Sequence, residues 1–400
     1  MKKMLFRSVE LAAVLSLGLL AGCVDDRSRT AGSDSEDAIR LMFIGQITDT
    51  ANATPLPEAA AGVRAAVVRI NAEGGLDGRL LRVEICDDKN DANEATKCAR
   101  KAARDGVVAT VGNTSNFGDV IMSVLEQAGI VSIGHNPIMP RDFASSAAFP
   151  LQSGAPGMLS GAAMMLAQQG AKRIRLAAVD SPAGALGEPF VRAGLKGTDS
   201  ELTGMTLVPL GAPDYSIYAR AIFQNSDGVV LGMNADQAAR TITALRQADP
   251  HKPIAVTMAA LPPATIRQLG AAAEGVLVAT PFRPITAGGD SIARFLADME
   301  TTAPDARTNG FSLQAWLAVE TLAKVMDGVP AEDITAATVK SQMESLTGFV
   351  IGDALAPLTT TEEKAPPFNR LFNNTVQFGK VVDGEIELID QQWHEVNLNE

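Results

Sequence analysis

The run VVRINAEGGLDGRLLRVEICDD, residues 67–88, changes its periodicity midway. Up to Ile70 the apolar residues Ala60, Val63, Val67 and Ile70 share one face at helical spacing. Gly74 and Gly75 stop that helix, and RLLRVEICDD reads as a strand. A helix feeding directly into a strand is one unit of an alternating α/β chain, and the pattern extends both ways. Upstream lies the strand IRLMFIG (39–45). Downstream come a helix ending near Asp105-Gly106, the strand VVATVG (107–112), a helix over 116–128 and the strand IVSIG (130–134). This alternation predicts a parallel sheet with helices on both faces.

Near residue 150 the pattern restarts. SGAPGMLSGAAMMLAQQG reads as a helix, and strands follow at RIRLAAVD (173–180), MTLVPL, GVVLGM (228–233), IAVTMA and GVLVAT (275–280), each separated by a helical stretch. Further helices are expected at 293–300, 312–327 and 335–345, ahead of a β-rich tail, NTVQFGKVVDGEIELI. Two similar α/β units do not read as one continuous sheet. A wound sheet binds ligands at the carboxyl ends of its strands, so two facing sheets would hold a ligand between them.

Composition narrows the function classes. The 400 residues are 46% apolar with a mean hydropathy of +0.10, which excludes a disordered chain and suits two domains. With 34 basic against 46 acidic residues the net charge is −12, and aromatics are only 4%. Neither the basic stripe nor the stacking platforms of a nucleic-acid binder are present, so no nucleic-acid partner is expected. The three histidines, His135, His251 and His394, and the three cysteines are scattered, against a structural zinc site. The segment DDKNDANE is rich in oxygen ligands but lacks the spacing of a calcium loop.

Residues 1–22 read as an export signal: Lys2, Lys3 and Arg7 precede an apolar run from Leu11 to Leu20, too short to cross a bilayer, which takes about 20 residues. Leu20-Ala21-Gly22-Cys23 resembles a bacterial lipobox, which implies cleavage before Cys23 and lipid on its thiol. A plain signal peptide or a buried N-terminal helix is the alternative. Residues 23–37 then form a flexible tether, and no other segment is apolar enough to span a membrane. With Cys23 committed to lipid, an exported chain keeps Cys86 and Cys98, which suggests a disulfide, the alternative being two buried thiols.

Catalytic and nucleotide motifs are missing: no G-x-G-x-x-G follows the first strand, and there is no P-loop, G-x-S-x-G or H-E-x-x-H. No cofactor is expected. The informative residues sit at strand ends. Asn113, Thr114, Ser115 and Asn116 follow the third strand, with Ser115 or Asn116 placed to cap the next helix and offer its N-terminus to an anionic group. His135 and Asn136 follow the fourth strand, and Gln46 the first. In the second unit the corresponding positions are Asp180-Ser181, Asn234 and Met258-Ala259-Ala260.

IRLMFIGQIT, INAEGGLDGRLLRVEICDDKND, DGVVATVGNTSN and EQAGIVSIG together resemble the type I solute-binding proteins of ABC importers, in their leucine/isoleucine/valine-binding subfamily, over about 39–345. The resemblance implies two Rossmann-like lobes, a three-strand hinge and closure around a small ligand. Mapped here, lobe 1 is 38–150 plus 283–345 and lobe 2 is 151–282 plus 346–400. It implies a monomer that is not an enzyme, anchored to the membrane through Cys23, that delivers a small molecule to the transmembrane subunits of an ABC permease. A sensor of the same fold, or an extracytoplasmic enzyme, is the rival reading. Ser115 and Asn116 fall on the family's ligand loop. Asn136 and Pro137 stand where amino-acid binders show Ala and Thr. Ala185 or Leu186 replaces a stacking Tyr, and TMAALPP around Met258 and Ala259 offers no carboxylate for a ligand ammonium. These departures imply a small, mostly apolar acid or amide in place of a branched-chain amino acid.

Overall fold

The structure, a computed structural model, describes residues 37–50, 55–362, 364–396 and 398. Cys23, the signal segment 1–22 and the tether up to residue 36 lie outside the described residues.

The first sheet is wholly parallel, with strands in the order β2-β1-β3-β4-β5. They are β1 (Ile39–Gly45), β2 (Leu81–Asp87), β3 (Ala109–Val111), β4 (Val131–Ile133) and the two-residue β5 (Ala148–Phe149). The intervening helices are α1 (Pro57–Ala72), α2 (Ala92–Arg104), α3 (Gly118–Ala128) and α4 (Pro140–Ala144). β1 is buried on both faces, as a near-continuous apolar run requires. Ile39, Leu41 and Phe43 enter the core beneath α1, while Met42 and Ile44 enter the opposite one with Cys98 and Leu125. The turn that ends α1 is as the sequence reads: Gly74 and Gly75 both take positive φ, and a side chain on Gly75 would overlap the Arg79 carbonyl.

The second sheet repeats the same winding. α5 (Gly154–Gln168) leads into β6 (Arg173–Val179), then α6 (Pro182–Ala185), α7 (Gly187–Leu195), β7 (Glu201–Val208), α8 (Ser216–Phe223), β8 (Gly228–Gly232), α9 (Ala235–Ala248), β9 (Ile254–Thr257), α10 (Pro263–Leu269) and β10 (Leu277–Thr280). These five strands lie parallel in the order β7-β6-β8-β9-β10, the order of the first sheet shifted by five.

The chain then returns to the first sheet. α11 (Asp290–Thr302), α12 (Gly310–Val325) and α13 (Ala336–Glu344) supply Phe295, Trp316 and Val339 to its core. Leu346, Ala354, Leu355 and Leu358 are buried there too. This departs from the expected assignment of everything beyond 345 to lobe 2. The reason is local: Phe349 and Leu358 bridge each other and fold that segment back, and Thr360 bonds to Leu346 and Met343. Only then does β11 (Thr375–Val382) join the second sheet antiparallel to β10, extended by β12 (Glu385–Leu388) and β13 (His394–Glu395).

Three stretches therefore connect the sheets: after β5, after β10 and before β11. Two of them are tied together. Asn373 Nδ2 donates to the Leu151 carbonyl at 3.0 Å, and Arg370 stacks on Phe149 and Phe372 while its Nε donates to the Ala148 carbonyl.

Cys86 and Cys98 form a disulfide, joining the end of β2 to the middle of α2. It closes a short loop that contains Asp87, Asp88 and the Asp91 cap of α2. Replacing both cysteines by serine is expected to destabilise the chain by about 3 kcal/mol. Denaturant unfolding of oxidised wild type, reduced wild type and the double variant checks this, with the last two expected to agree.

Candidate ligand site at the strand ends

In a wound sheet of this order the crevice opens where the connections diverge, between the carboxyl ends of β1 and β3. Gly45 at the end of β1 bridges Thr114, and Thr114 N–H donates to Ile44 O at 3.0 Å. A side chain on Gly45 would meet Thr114 Oγ1 at 2.5 Å, so glycine permits the two loops to touch. Gln46 N–H donates to Thr114 O, and Asn116 Nδ2 donates to Gln46 Oε1 at 3.1 Å and Asn90 Oδ1 at 2.9 Å. The loops after β1, β2 and β3 are thus tied into one polar edge.

Asn113 does the tying from beneath. Its buried amide accepts from Ile44 N–H at 2.8 Å and donates to Thr110 Oγ1 and Ser132 Oγ. Its carbonyl accepts from Asn136 N–H, which brings in the loop after β4. Asn113 therefore positions the site and has its side chain spent inside. His135 has the same fate. It is buried, with Nδ1 3.2 Å from Ser132 O and Nε2 3.2 Å from Asp142 O, so both nitrogens face interior carbonyls.

The expected cap of α3 shifts. The helix starts at Gly118 with Phe117 as its cap residue and no side-chain cap bond, and Ser115 Oγ, two residues before the cap, accepts from Phe117 N–H at 3.1 Å. The helix start is further occupied by Asp142, whose carboxylate would overlap any side chain placed on Gly118 and accepts from the Ile138 and Met139 N–H groups. One of the chain's own carboxylates therefore sits where an anionic ligand group was expected.

Two more carboxyls flank this edge. Burial pushes the Asp88 carboxyl up, opposed by the Ser115 hydroxyl and the Asn90 N–H. Asp87 goes the other way: burial acts to raise it, but bonds from the Thr48 hydroxyl and the Ile47 and Lys89 N–H groups hold it below its ordinary value.

Sequence reading missed Gln152 and Gln314. Gln152 Nε2 donates to Gln314 Oε1 at 2.5 Å and lies 3.4 Å from Asn136 Oδ1, while Gln314 Nε2 donates to Gly134 O at 2.8 Å. One lies on a connection and the other mid-helix, 162 residues apart, so no local pattern pairs them.

The second sheet's expected residues are less gathered. Ala185 and Leu186 are exposed, and Asn234 caps α9 by accepting from Gln237 N–H. Met258 and Ala259 lie half-buried in a tight turn after β9. Among the described residues no three His, Cys, Asp or Glu side chains are grouped to hold a metal, and no helix is long and apolar enough to cross a membrane.

The family model of the periplasmic binding proteins matches residues 43–385, so the chain belongs to that family. The Leu/Ile/Val-binding protein homolog 1 of Brucella abortus (strain 2308) is 30% identical over 142 residues, 35% of this chain and 34% of that protein. The match thus spans about a third of the curated relative's length. Two solved structures share the fold. A fatty acid ABC transporter substrate-binding protein from Thermomonospora curvata has a TM-score of 0.76 at 15% identity, covering 91% of this chain and 94% of that one. The branched-chain amino acid transporter substrate-binding protein LivJ from Streptococcus pneumoniae, in complex with isoleucine, has a TM-score of 0.70 at 16% identity, covering 88% and 99%.

Burial raises the Asp142 carboxyl above its ordinary 3.8, against the attraction of His135. A raised folded value means that stability is fully present below the unfolded pKa and is lost as pH rises through the folded one. The stability of wild type relative to Asp142→Asn is therefore expected to be greatest near pH 4 and to fall as pH rises. Paired thermal melts between pH 4 and 8 measure this; a constant difference would contradict it.

Proposed function

We propose that this chain is the solute receptor of an ABC importer, binding a small molecule between two hinged lobes and presenting it to the permease's transmembrane subunits. The observation that carries the reading is the doubled winding. Two sheets of the same strand order are joined by three connections, and a polar edge stands at the first sheet's switch point. Lobe 1 is taken as 38–150 plus 283–372, and lobe 2 as 151–282 plus 373–400. Ligand energy goes into shifting an open–closed equilibrium, and no bond chemistry is required.

Gln46, Thr114, Ser115, Asn116 and Asn136 are the contacts from lobe 1, with Asn113 holding them in place. Ala185, Leu186, Met258, Ala259 and Asn234 are the candidates from lobe 2. Residues 258–262, MAALP, carry no carboxylate, the Asp87 and Asp88 carboxyls at the first edge accept from the chain's own donors, and a desolvated ammonium without a partner is strongly disfavoured. The proposed ligand is accordingly a small, mostly apolar acid or amide. The names of its relatives support keeping the choice open within the fold, since one is described with isoleucine and another with fatty acid. The mature chain is held at the membrane by lipid on Cys23 and reaches outward on the tether.

Mass spectrometry of small molecules released from the purified chain is expected to identify the ligand. Calorimetric titration with leucine, isoleucine and valine is expected to give no micromolar binding; such binding by any of them would overturn the ligand assignment. Cys23→Ala is expected to move the chain out of the membrane fraction, read by immunoblot of fractionated cells.

A further inference from the structure

Met258 occupies an unusual place. Among the described residues it is the one side chain that packs against three separate apolar clusters: the core beneath α1 and α12, and the cores on either face of the second sheet. It belongs by chain to the second sheet, in the turn directly after β9. Its thioether sulfur lies 3.5 Å from Thr280 Oγ1, at the end of β10 where the second connection begins. Its methyl end rests on Gly310, the first residue of α12, which belongs to the first sheet's layer: a Cβ built on Gly310 would lie 2.3 Å from Met258 Cε and 2.7 Å from Sδ.

The seat beneath that methyl group is rigid. The Asn309 side chain caps α12 and donates to buried Glu58 Oε1 at 2.8 Å, and Glu58 is paired with Arg307. One turn further along α1, Gly62 brings the two helices so close that a Cβ would be 2.1 Å from Ser312 O. The first turn of α12 is held by these contacts, whereas methionine, with three rotatable bonds, adapts. Gly310 is the first residue of a helix, so its backbone accepts alanine without strain, and the extra methyl group meets only Met258.

We propose that Met258 is a latch between the lobes: its thioether, seated on Gly310, holds the second sheet's strand ends against α12 and biases the hinge toward closure. This rests on the hinged two-lobe reading above. It makes Met258 a positioning residue for closure in addition to any ligand contact, and it gives Gly310 a reason to be glycine that its backbone does not.

The test is a substitution cycle read by distance. Nitroxide labels at exposed Arg64 on α1 and Arg267 on α10, each replaced by cysteine in the full chain, report the separation of the lobes by pulsed electron resonance. Met258→Ala and Gly310→Ala are each expected to raise the ratio of long to short separations by at least about threefold. The pair together is expected to match Met258→Ala alone, because without the thioether the added methyl group displaces nothing. Met258→Leu is expected to recover most of the short separation. Gly310→Ala alone adds helix propensity, so its thermal midpoint is expected to hold while its lobe separation changes. Unchanged separations in both single variants, or effects that add in the pair, would overturn the latch. Should the wild-type separation also fail to respond to the solute recovered from the chain, the hinged receptor reading itself would fall.

Discussion

A primary amide shut inside a protein must find partners for its oxygen and its nitrogen, and at Asn113 that requirement fixes the geometry of the whole first edge. Its partners come from β1, from β3 and from β4, so they are satisfied together only when those strands hold the observed register. The register in turn brings Gly45 onto Thr114 and Asn136 onto Asn113. The loops that carry the candidate ligand groups are thus positioned by buried bonds one layer below them. The exposed face stays free to vary in chemistry while the scaffold is held.

The same economy governs the layer above. α1 and α12 pack closely because Gly62 removes the side chain that would separate them. Arg69 on α1 then bonds to Asp298 on α11 and to Glu320 on α12, and Trp316 donates to the same Asp298 oxygen. Glu320 is itself raised by burial, opposed by Arg69 and Arg294. Removing one member of such a group leaves an uncompensated charge, which is why these helices, though distant in sequence from β1, are fixed to it. The chain can leave for the second sheet and come back without loosening the first.

Sequence periodicity carried the two sheets, because buried parallel strands and one-faced helices leave strong local patterns: IRLMFIG and the Ala60–Ile70 face fold as read. The disulfide was suggested by the count of cysteines in an exported chain, and the bridge is present. What failed to show was long-range. β5 is two residues long and has no pattern of its own. The 346–358 segment is held by the Phe349–Leu358 bridge and by Lys324 on α12, whose Nζ donates to the Val350 and Ile351 carbonyls. Ser115 looked like a helix cap because its residue type suits one, but it stands two residues before the cap position, Phe117, and its hydroxyl accepts from the Phe117 N–H. His135 follows a strand, where a pocket donor or a surface loop residue would both fit, yet α4 folds over it and supplies Asp142 O. In the first two cases and at His135 the deciding contact comes from tertiary folding, whereas at Ser115 it is a local choice between two neighbouring donors that residue type alone does not decide.

The connections between the two sheets are bonded to one another and to the sheets' helices. Arg370 over Phe149 and Phe372, and Asn373 on Leu151, bind the first and third connections to each other on the side of the first sheet. The Gln152–Gln314 bond fastens the start of the first connection to α12, and Gln314 continues to Gly134 beside the loop of Asn136. Asn136 Oδ1 therefore lies against the same amide, Gln152 Nε2, that anchors the connection. The amide nitrogen carries two hydrogens, so it serves Gln314 Oε1 and Asn136 Oδ1 together. Asn136, Gln152, Gln314 and the Gly134 carbonyl thus form one run of bonds, at the place where the chain first leaves one sheet for the other.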